Sequence, residues 1–117
     1  MQKPKPPLSI SAQAHGLRNA YLLGQLEHVT ETDLRWFCNV RPTPINDNYF
    51  IQLDYRYGGI PRVRVVAPDL FVPPGKRLPH VFPDGCICIY DCRESAHEWE
   101  PWMELSIIVP WAALWLY

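Results

Sequence analysis

The stretch LRWFCNVRPTPINDNYFIQLDYRYGGIPRVRVV, residues 34 to 66, alternates apolar and polar positions in three separate runs. In the first, Leu34, Trp36, Cys38 and Val40 alternate with Arg35, Phe37 and Asn39, the period-two pattern of a strand with one buried face. Turn-forming residues from Pro42 to Asn48 lead to a second run, where Tyr49, Ile51, Leu53, Tyr55 and Tyr57 alternate with Phe50, Gln52, Asp54 and Arg56. Gly58 and Gly59 supply a hairpin turn before Arg62 to Val66, where Val63 and Val65 alternate with arginines. Three consecutive strands predict an antiparallel β-meander, with Cys38 on its apolar side and Arg56, Arg62 and Arg64 on a solvated face.

Upstream of the meander, Ala14, Leu17, Ala20 and Tyr21 fall at three- and four-residue spacings, with Leu26 the next apolar position taken on that face, and predict an amphipathic helix from Ala12 to about Glu27. Gly16 and Gly24 weaken it, and Ser9 and Ser11 are placed to cap it. The chain opens MQKPKPP, which predicts a flexible or polyproline-like lead-in over residues 1–10 and a single folded unit over residues 11–117. Downstream, Pro68, Pro73, Pro74, Pro79 and Pro83 exclude regular helix and central strand, so residues 68 to 85 read as a long stiffened loop, the kind of segment that carries function. A short strand-like piece from Cys86 to Tyr90 follows, then a polar segment with His97, Glu98 and Glu100 that reads as a solvated loop. From Pro101 the pattern is helical, with Met103, Ile107, Ile108, Trp111 and Leu114 on one stripe. Trp102, Trp111 and Trp115 suit core or partner contacts. No internal repeat is present, and the pattern of elements is that of an α+β domain.

A chain of 117 residues suffices for one domain with its own core. The net charge of −1, with 20% charged residues, lacks the basic footprint of a nucleic-acid binder. No apolar segment follows Met1 to Pro7 as a secretory signal requires, which points to the cytoplasm. The run Ile107 to Tyr117 is too short to cross a bilayer and contains Pro110, so no membrane partner is expected.

Four cysteines, Cys38, Cys86, Cys88 and Cys92, do not form the framework of a small secreted disulfide domain. Cys86 and Cys88 face together in an extended segment, with Ile87 and Ile89 opposite. A disulfide between the pair is geometrically poor, since their Cα atoms lie about 6.5 Å apart with parallel side chains. Three readings of the thiols remain open on spacing. They are small buried hydrophobes; or Cys86, Cys88 and Cys92, with His80 or His97, hold zinc, although no Cys-x-x-Cys pair is present; or one is a nucleophile. A nucleophilic thiol must ionise and be reachable, which favours Cys88, where a short strand meets the irregular loop that carries His80. His80 suits an oxyanion donor or a loop-orienting residue, and equally a surface histidine bonded to backbone.

The order of these parts resembles the ubiquitin-conjugating enzymes. An amino-terminal helix, a meander ending in Pro61-x-Val63-x-Val65, a proline-rich loop with Leu78-Pro79-His80, then Gly85-x-Ile87-Cys88, then Trp99-x-Pro101 and a helix follow that family's sequence of motifs over residues 11 to 117. The resemblance implies an α+β ubiquitin-conjugating-enzyme-like fold with an N-terminal helix, an antiparallel β-meander, a Pro-rich active-site loop and a C-terminal helix. It makes Cys88 the thioester-forming cysteine and sets Pro79 on the motif proline. His80 falls on the family asparagine that stabilises the oxyanion or its loop, and Cys86 on a position without a required residue. Leu78 replaces the motif histidine, Tyr90 replaces an aspartate common in the family, and the spacing from Cys88 to Trp99 is longer than usual. Leu78-Pro79-His80-Val81, Pro83-Asp84-Gly85 and the run Val109 to Tyr117 are similar to the compact bacterial members of CBASS antiviral defence. That likeness implies a cysteine-dependent acyl transferase acting on the C-terminus of a cGAS-like nucleotidyltransferase, with no metal or organic cofactor. The alternative on the same fold is a non-catalytic binding module.

Overall fold

The computed structural model describes residues 5–45, 48–68, 86–87, 99–100 and 102–116. Among them the elements are α1 (Ile10–Ala20), β1 (Gln25–Val29), β2 (Asp33–Val40), β3 (Tyr49–Arg56), β4 (Arg62–Ala67), β5 (Cys86–Ile87), a 3₁₀ turn at Leu105–Ile107 and α2 (Ile108–Leu116). The strands form one antiparallel sheet in chain order, so the architecture is α+β, with a helix before the sheet and a helix after it. No helix among the described residues is long and apolar enough to cross a membrane.

The expected meander is the centre of this sheet. β2 and β3 pair from Asp33↔Arg56 to Val40↔Tyr49, so their two alternations coincide: Leu34 lies opposite Tyr55, Trp36 opposite Leu53, and Cys38 opposite Ile51. All six are buried, and β4 adds Val63 opposite Leu53. The other face carries the polar set. Arg35 Nε donates to Asp54 Oδ1 at 2.7 Å directly across the strands, Gln52 Nε2 donates to Asp54 Oδ2 at 2.6 Å, and the Phe37 and Phe50 rings stack with centroids 5.4 Å apart. Arg56, Arg62 and Arg64 are exposed, as the alternation requires. Gly58 at φ +75° turns the chain between β3 and β4, while the Gly59 N–H donates to the Arg56 carbonyl at 2.8 Å.

Helix α1 is shorter than its periodicity suggests. Ser9 caps it by accepting from the Ala12 N–H at 3.1 Å, and Ile10, which the sequence reading left in the lead-in, is helical and 2% exposed. At the other end the helix stops at Ala20, and Gln25 to Glu27, expected to be helical, belong to β1. The reason is a bulge: β1 pairs Leu26 with Trp36 but His28 with Arg35, so Glu27 is an extra residue. Leu26 and Val29 thereby stand three apart in a strand, a spacing that mimics a helix. The turn before β1 brings Gly24 against the face of Trp36, where a Cβ would overlap the indole ring.

The C-terminal portion also starts later than expected. Its 3₁₀ turn begins at Leu105 and α2 at Ile108; Pro101, expected at the helix start, lies outside the described residues. The buried series is Leu105, Ile108, Val109, Ala112 and Leu116, whereas Ile107, expected on the buried stripe, is 39% exposed. The 3₁₀ turn sets the phase of α2 and rotates that stripe. Pro110 sits in the first turn of α2, where a missing amide N–H is tolerated.

One buried polar side chain ties the two ends together. Gln13, 2% exposed and in the middle of the α1 apolar face, donates from Nε2 to the Met103 carbonyl at 2.7 Å and accepts at Oε1 from the Leu105 N–H at 2.7 Å. Tyr21 adds a second tie, its hydroxyl donating to the Ser106 carbonyl at 2.9 Å. Gln13→Leu is expected to leave two backbone groups unpaired and to lower unfolding free energy by about 2–3 kcal/mol in urea titrations. Gly24→Ala is expected to cost about 1–3 kcal/mol, with a shift in the near-ultraviolet signal of Trp36.

Candidate functional site

The catalytic candidates Cys88 and His80 lie outside the described residues, as do Leu78, Pro79, Tyr90, Cys92 and His97. Most of the Pro-rich loop expected over residues 68–85 does as well, together with the last three residues of the strand expected from Cys86 to Tyr90. What is described is the framework on both sides of these segments.

That framework is the β4 edge of the sheet. β4 continues the meander, and β5 pairs with it antiparallel through two positions, Val63↔Ile87 and Arg64↔Cys86. The two partners on β4 differ sharply. Val63 is fully buried at 0% exposure, and Arg64 is exposed. Since residues directly opposite share a sheet face, Cys86 holds a position on the solvated face and Ile87 one on the core face. The arginines read from the sequence as a solvated face thus form the row beside which the thiol-bearing segment docks.

After the segment carrying Cys88, the chain is described again at Trp99, which is 6% exposed. Its ring meets Tyr55 edge-on, with centroids 5.8 Å apart and planes at 73°. Tyr55 is 2% exposed, and its hydroxyl accepts the Gly58 N–H at 3.3 Å. Burial pushes the Tyr55 phenol up, opposed by that N–H and by the nearby Trp99 indole N–H. The Trp99 Nε1 stays outside hydrogen-bonding geometry with any acceptor among the described residues. The tyrosine–tryptophan contact was missed by the sequence reading, and only the alternation that buries Tyr55 signalled it. After Trp99 the chain turns, the Met103 N–H donating to the Glu100 carbonyl at 2.8 Å.

Cys38 represents the opposite environment. It is 6% exposed in the core between Trp36 and Val40, and burial pushes its thiol up to about 12. A thiol held neutral is neither a nucleophile nor a metal ligand at neutral pH. Of the cysteines, this one fits the reading as a small buried hydrophobe. Among the described residues no group of three or more His, Cys, Asp or Glu side chains is arranged to hold a metal ion.

Comparison with protein families decides what framework this is. A family described as type II CBASS E2 protein matches residues 13–117. The chain belongs to the type II CBASS E2 family. No curated protein matches it. The matched region runs from Gln13 on α1 through the meander and the thiol segment to the end of α2. Membership gives this E2 an E2-like role in CBASS antiviral defence and a protein partner within that system.

The Cys38 environment yields an alkaline signature. The unfolded chain loses its thiol proton near pH ~8.5, while the folded chain keeps it until about 12. The folded state therefore binds more protons between those values, and stability falls as pH rises through them. Urea midpoints are expected to decline above pH ~8.5, and Cys38→Ala to flatten the decline between about pH 8.5 and 10, before tyrosines in the unfolded chain ionise. In the folded protein, alkylation at pH ~8 should leave Cys38 unmodified until denaturant is added, as read by peptide mass spectrometry.

Proposed function

We propose that this E2 carries an acyl group as a thioester on Cys88, on a ubiquitin-conjugating-enzyme-like fold, and passes it to an amine. The observation that carries the reading is the family match over residues 13–117, which spans the ordered motifs Leu78-Pro79-His80, Gly85-x-Ile87-Cys88 and Trp99-x-Pro101. Two features of the framework support it. The β4–β5 pairing among the described residues includes Ile87, which precedes Cys88 in sequence, and Trp99 of the following motif is anchored in the core against Tyr55.

The chemistry asks for few parts. The Cys88 thiolate attacks an activated acyl carbon, since a free carboxylate has no adequate leaving group, and that leaving group departs as the carbon–sulfur bond forms. A donor such as His80 or a backbone N–H stabilises the tetrahedral oxyanion. An amine then attacks the thioester, its proton passes to a base, and the thiolate leaves with the electron pair. The acyl donor is the C-terminus of a cGAS-like nucleotidyltransferase, as the likeness to CBASS members implies, presented to Cys88 already activated as an acyl anhydride or thioester whose phosphate or thiolate departs; the transfer itself uses neither metal nor organic cofactor.

The test is co-expression with the neighbouring nucleotidyltransferase, followed by non-reducing gels and intact mass spectrometry. A covalent adduct released by thiols is expected in the parent protein and in Cys86→Ala, and none in Cys88→Ala. His80→Ala is expected to slow adduct formation by roughly 10²-fold, the scale of losing one oxyanion donor, with His80→Asn close to the parent. The replacement of the family histidine by Leu78 and of the aspartate by Tyr90 favours a second reading, a non-catalytic binding module. Partner capture unchanged in Cys88→Ala, with no adduct in any variant, is the result that would establish it.

A further inference from the structure

Helix α1 runs out at Ala20 into a tight turn, Tyr21-Leu22-Leu23-Gly24, closed by the Gly24 N–H donating to the Tyr21 carbonyl at 3.0 Å. The central positions of such turns are the usual place of Gly, Pro, Asn, Asp and Ser. Here they hold two leucines, 86% and 96% exposed. The turn is fixed at both ends. The Tyr21 hydroxyl donates to the Ser106 carbonyl at 2.9 Å and its ring lies 5.6 Å from that of Trp36, while Gly24 rests against the Trp36 indole. Leu22 and Leu23 thus form an apolar ridge that needs no ordering before it docks.

A groove opens on each side of this ridge. On the Gly24 side one of about 500 Å³ is lined by Arg18, Gly24, Gln25, Leu26, Glu27 and Phe37. On the Tyr21 side a mainly apolar one of about 650 Å³ is lined by Ala20, Tyr21, Trp102, Met103, Glu104 and Ile107. Trp102 and Ile107 are each 39% exposed there, and Lys5 Nζ steadies the Trp102 ring from 4.5 Å. Arg18 and Glu104, one in each groove, take part in no ion pair among the described residues.

We propose that this face is the interface of a two-fold homodimer, in which the Leu22–Leu23 ridge of each protomer enters the Trp102 groove of its partner. Shape and charge select a second copy. A two-fold interface is self-complementary, so a single surface has to carry both halves of every contact. This surface does: an apolar ridge stands directly beside an apolar groove, and a cation and an anion flank the two on opposite sides. Exchange of ridges brings Arg18 towards the partner's Glu104 twice over, pairing charges that one protomer leaves apart. The extent agrees as well. Ridge and groove expose an apolar patch of several hundred Å², on the order of half the ~800 Å² that a standard interface covers on each partner. With a polar rim around it, such an interface gives a reversible dimer rather than a permanent one.

Sedimentation velocity of the full chain over a concentration series is expected to show a reversible monomer–dimer equilibrium. Leu22→Ser combined with Leu23→Ser is expected to weaken dimerisation about 10-fold or more, without moving the urea midpoint, because both positions are exposed. Arg18→Glu and Glu104→Arg are each expected to weaken it several-fold, and the double variant to restore it, since both ion pairs return with their signs reversed. A chain that stays monomeric up to about 1 mM, the scale of the weakest specific complexes, would overturn the proposal. A monomer whose Leu22 and Leu23 are needed to capture the neighbouring nucleotidyltransferase would overturn it in favour of that partner. A dimer indifferent to the leucine variant, or charge variants whose losses add in the double variant, would place the contact elsewhere and also overturn it.

Discussion

Gln13 holds the molecule's two ends to one another. Its amide spans 90 residues to the Met103 carbonyl and 92 residues to the Leu105 N–H, from a side chain that is 2% exposed. An eleven-residue helix is marginal alone, and so is the nine-residue α2; each is stable only when its apolar face is covered. The Gln13 amide matches one donor and one acceptor of the C-terminal backbone, so it fixes both the distance and the register of that segment against α1. The 3₁₀ turn follows from that position, and the phase of α2 follows from the turn. Apolar contact alone is non-directional and would allow the segment to slide; paired buried hydrogen bonds do not.

The sheet that these helices cover treats its two faces in opposite ways, and the cysteines show the consequence. On the inner face, desolvation holds the Cys38 thiol neutral and removes it from chemistry. On the outer face two arginines are paired with aspartates across the strands, Arg35 with Asp54 at 2.7 Å and Arg56 with Asp33 at 3.8 Å. These exposed pairs contribute little to stability. They keep a broad sheet face polar up to the β4 edge, where β5 pairs with Cys86 opposite Arg64.

Where sequence reading succeeded and failed has a common physical origin. The meander was legible because β2 and β3 pair without a bulge, so every second residue meets the same environment over eight positions on each strand. β1 was illegible because the extra residue Glu27 interrupts that parity, and Leu26, read as the last apolar position of the helix, belongs to the strand. Gln13 gave a faint signal, a polar residue at the centre of the stripe formed by Ile10, Ala14 and Leu17, but the partners that make it acceptable there lie at the far end of the chain. The candidate site was legible as an ordered set of motifs rather than as a geometry. The structure adds the register of Cys86 and the anchoring of Trp99, while Cys88 and His80 stand outside the described residues.

Local chemistry along the chain was enough to specify the α+β class, the alternating faces of three strands and the Ser9 cap, because each depends on neighbours within a few residues. The family likewise was legible in the order of short motifs. The length of α1, the bulged edge strand, the rotation of α2 and the meeting of Lys5 with Trp102 depend on contacts between residues far apart in sequence. Such contacts carry no periodicity. They arise when packing must satisfy particular polar groups and a particular indole face at once, and a linear pattern does not encode which distant residue will do so.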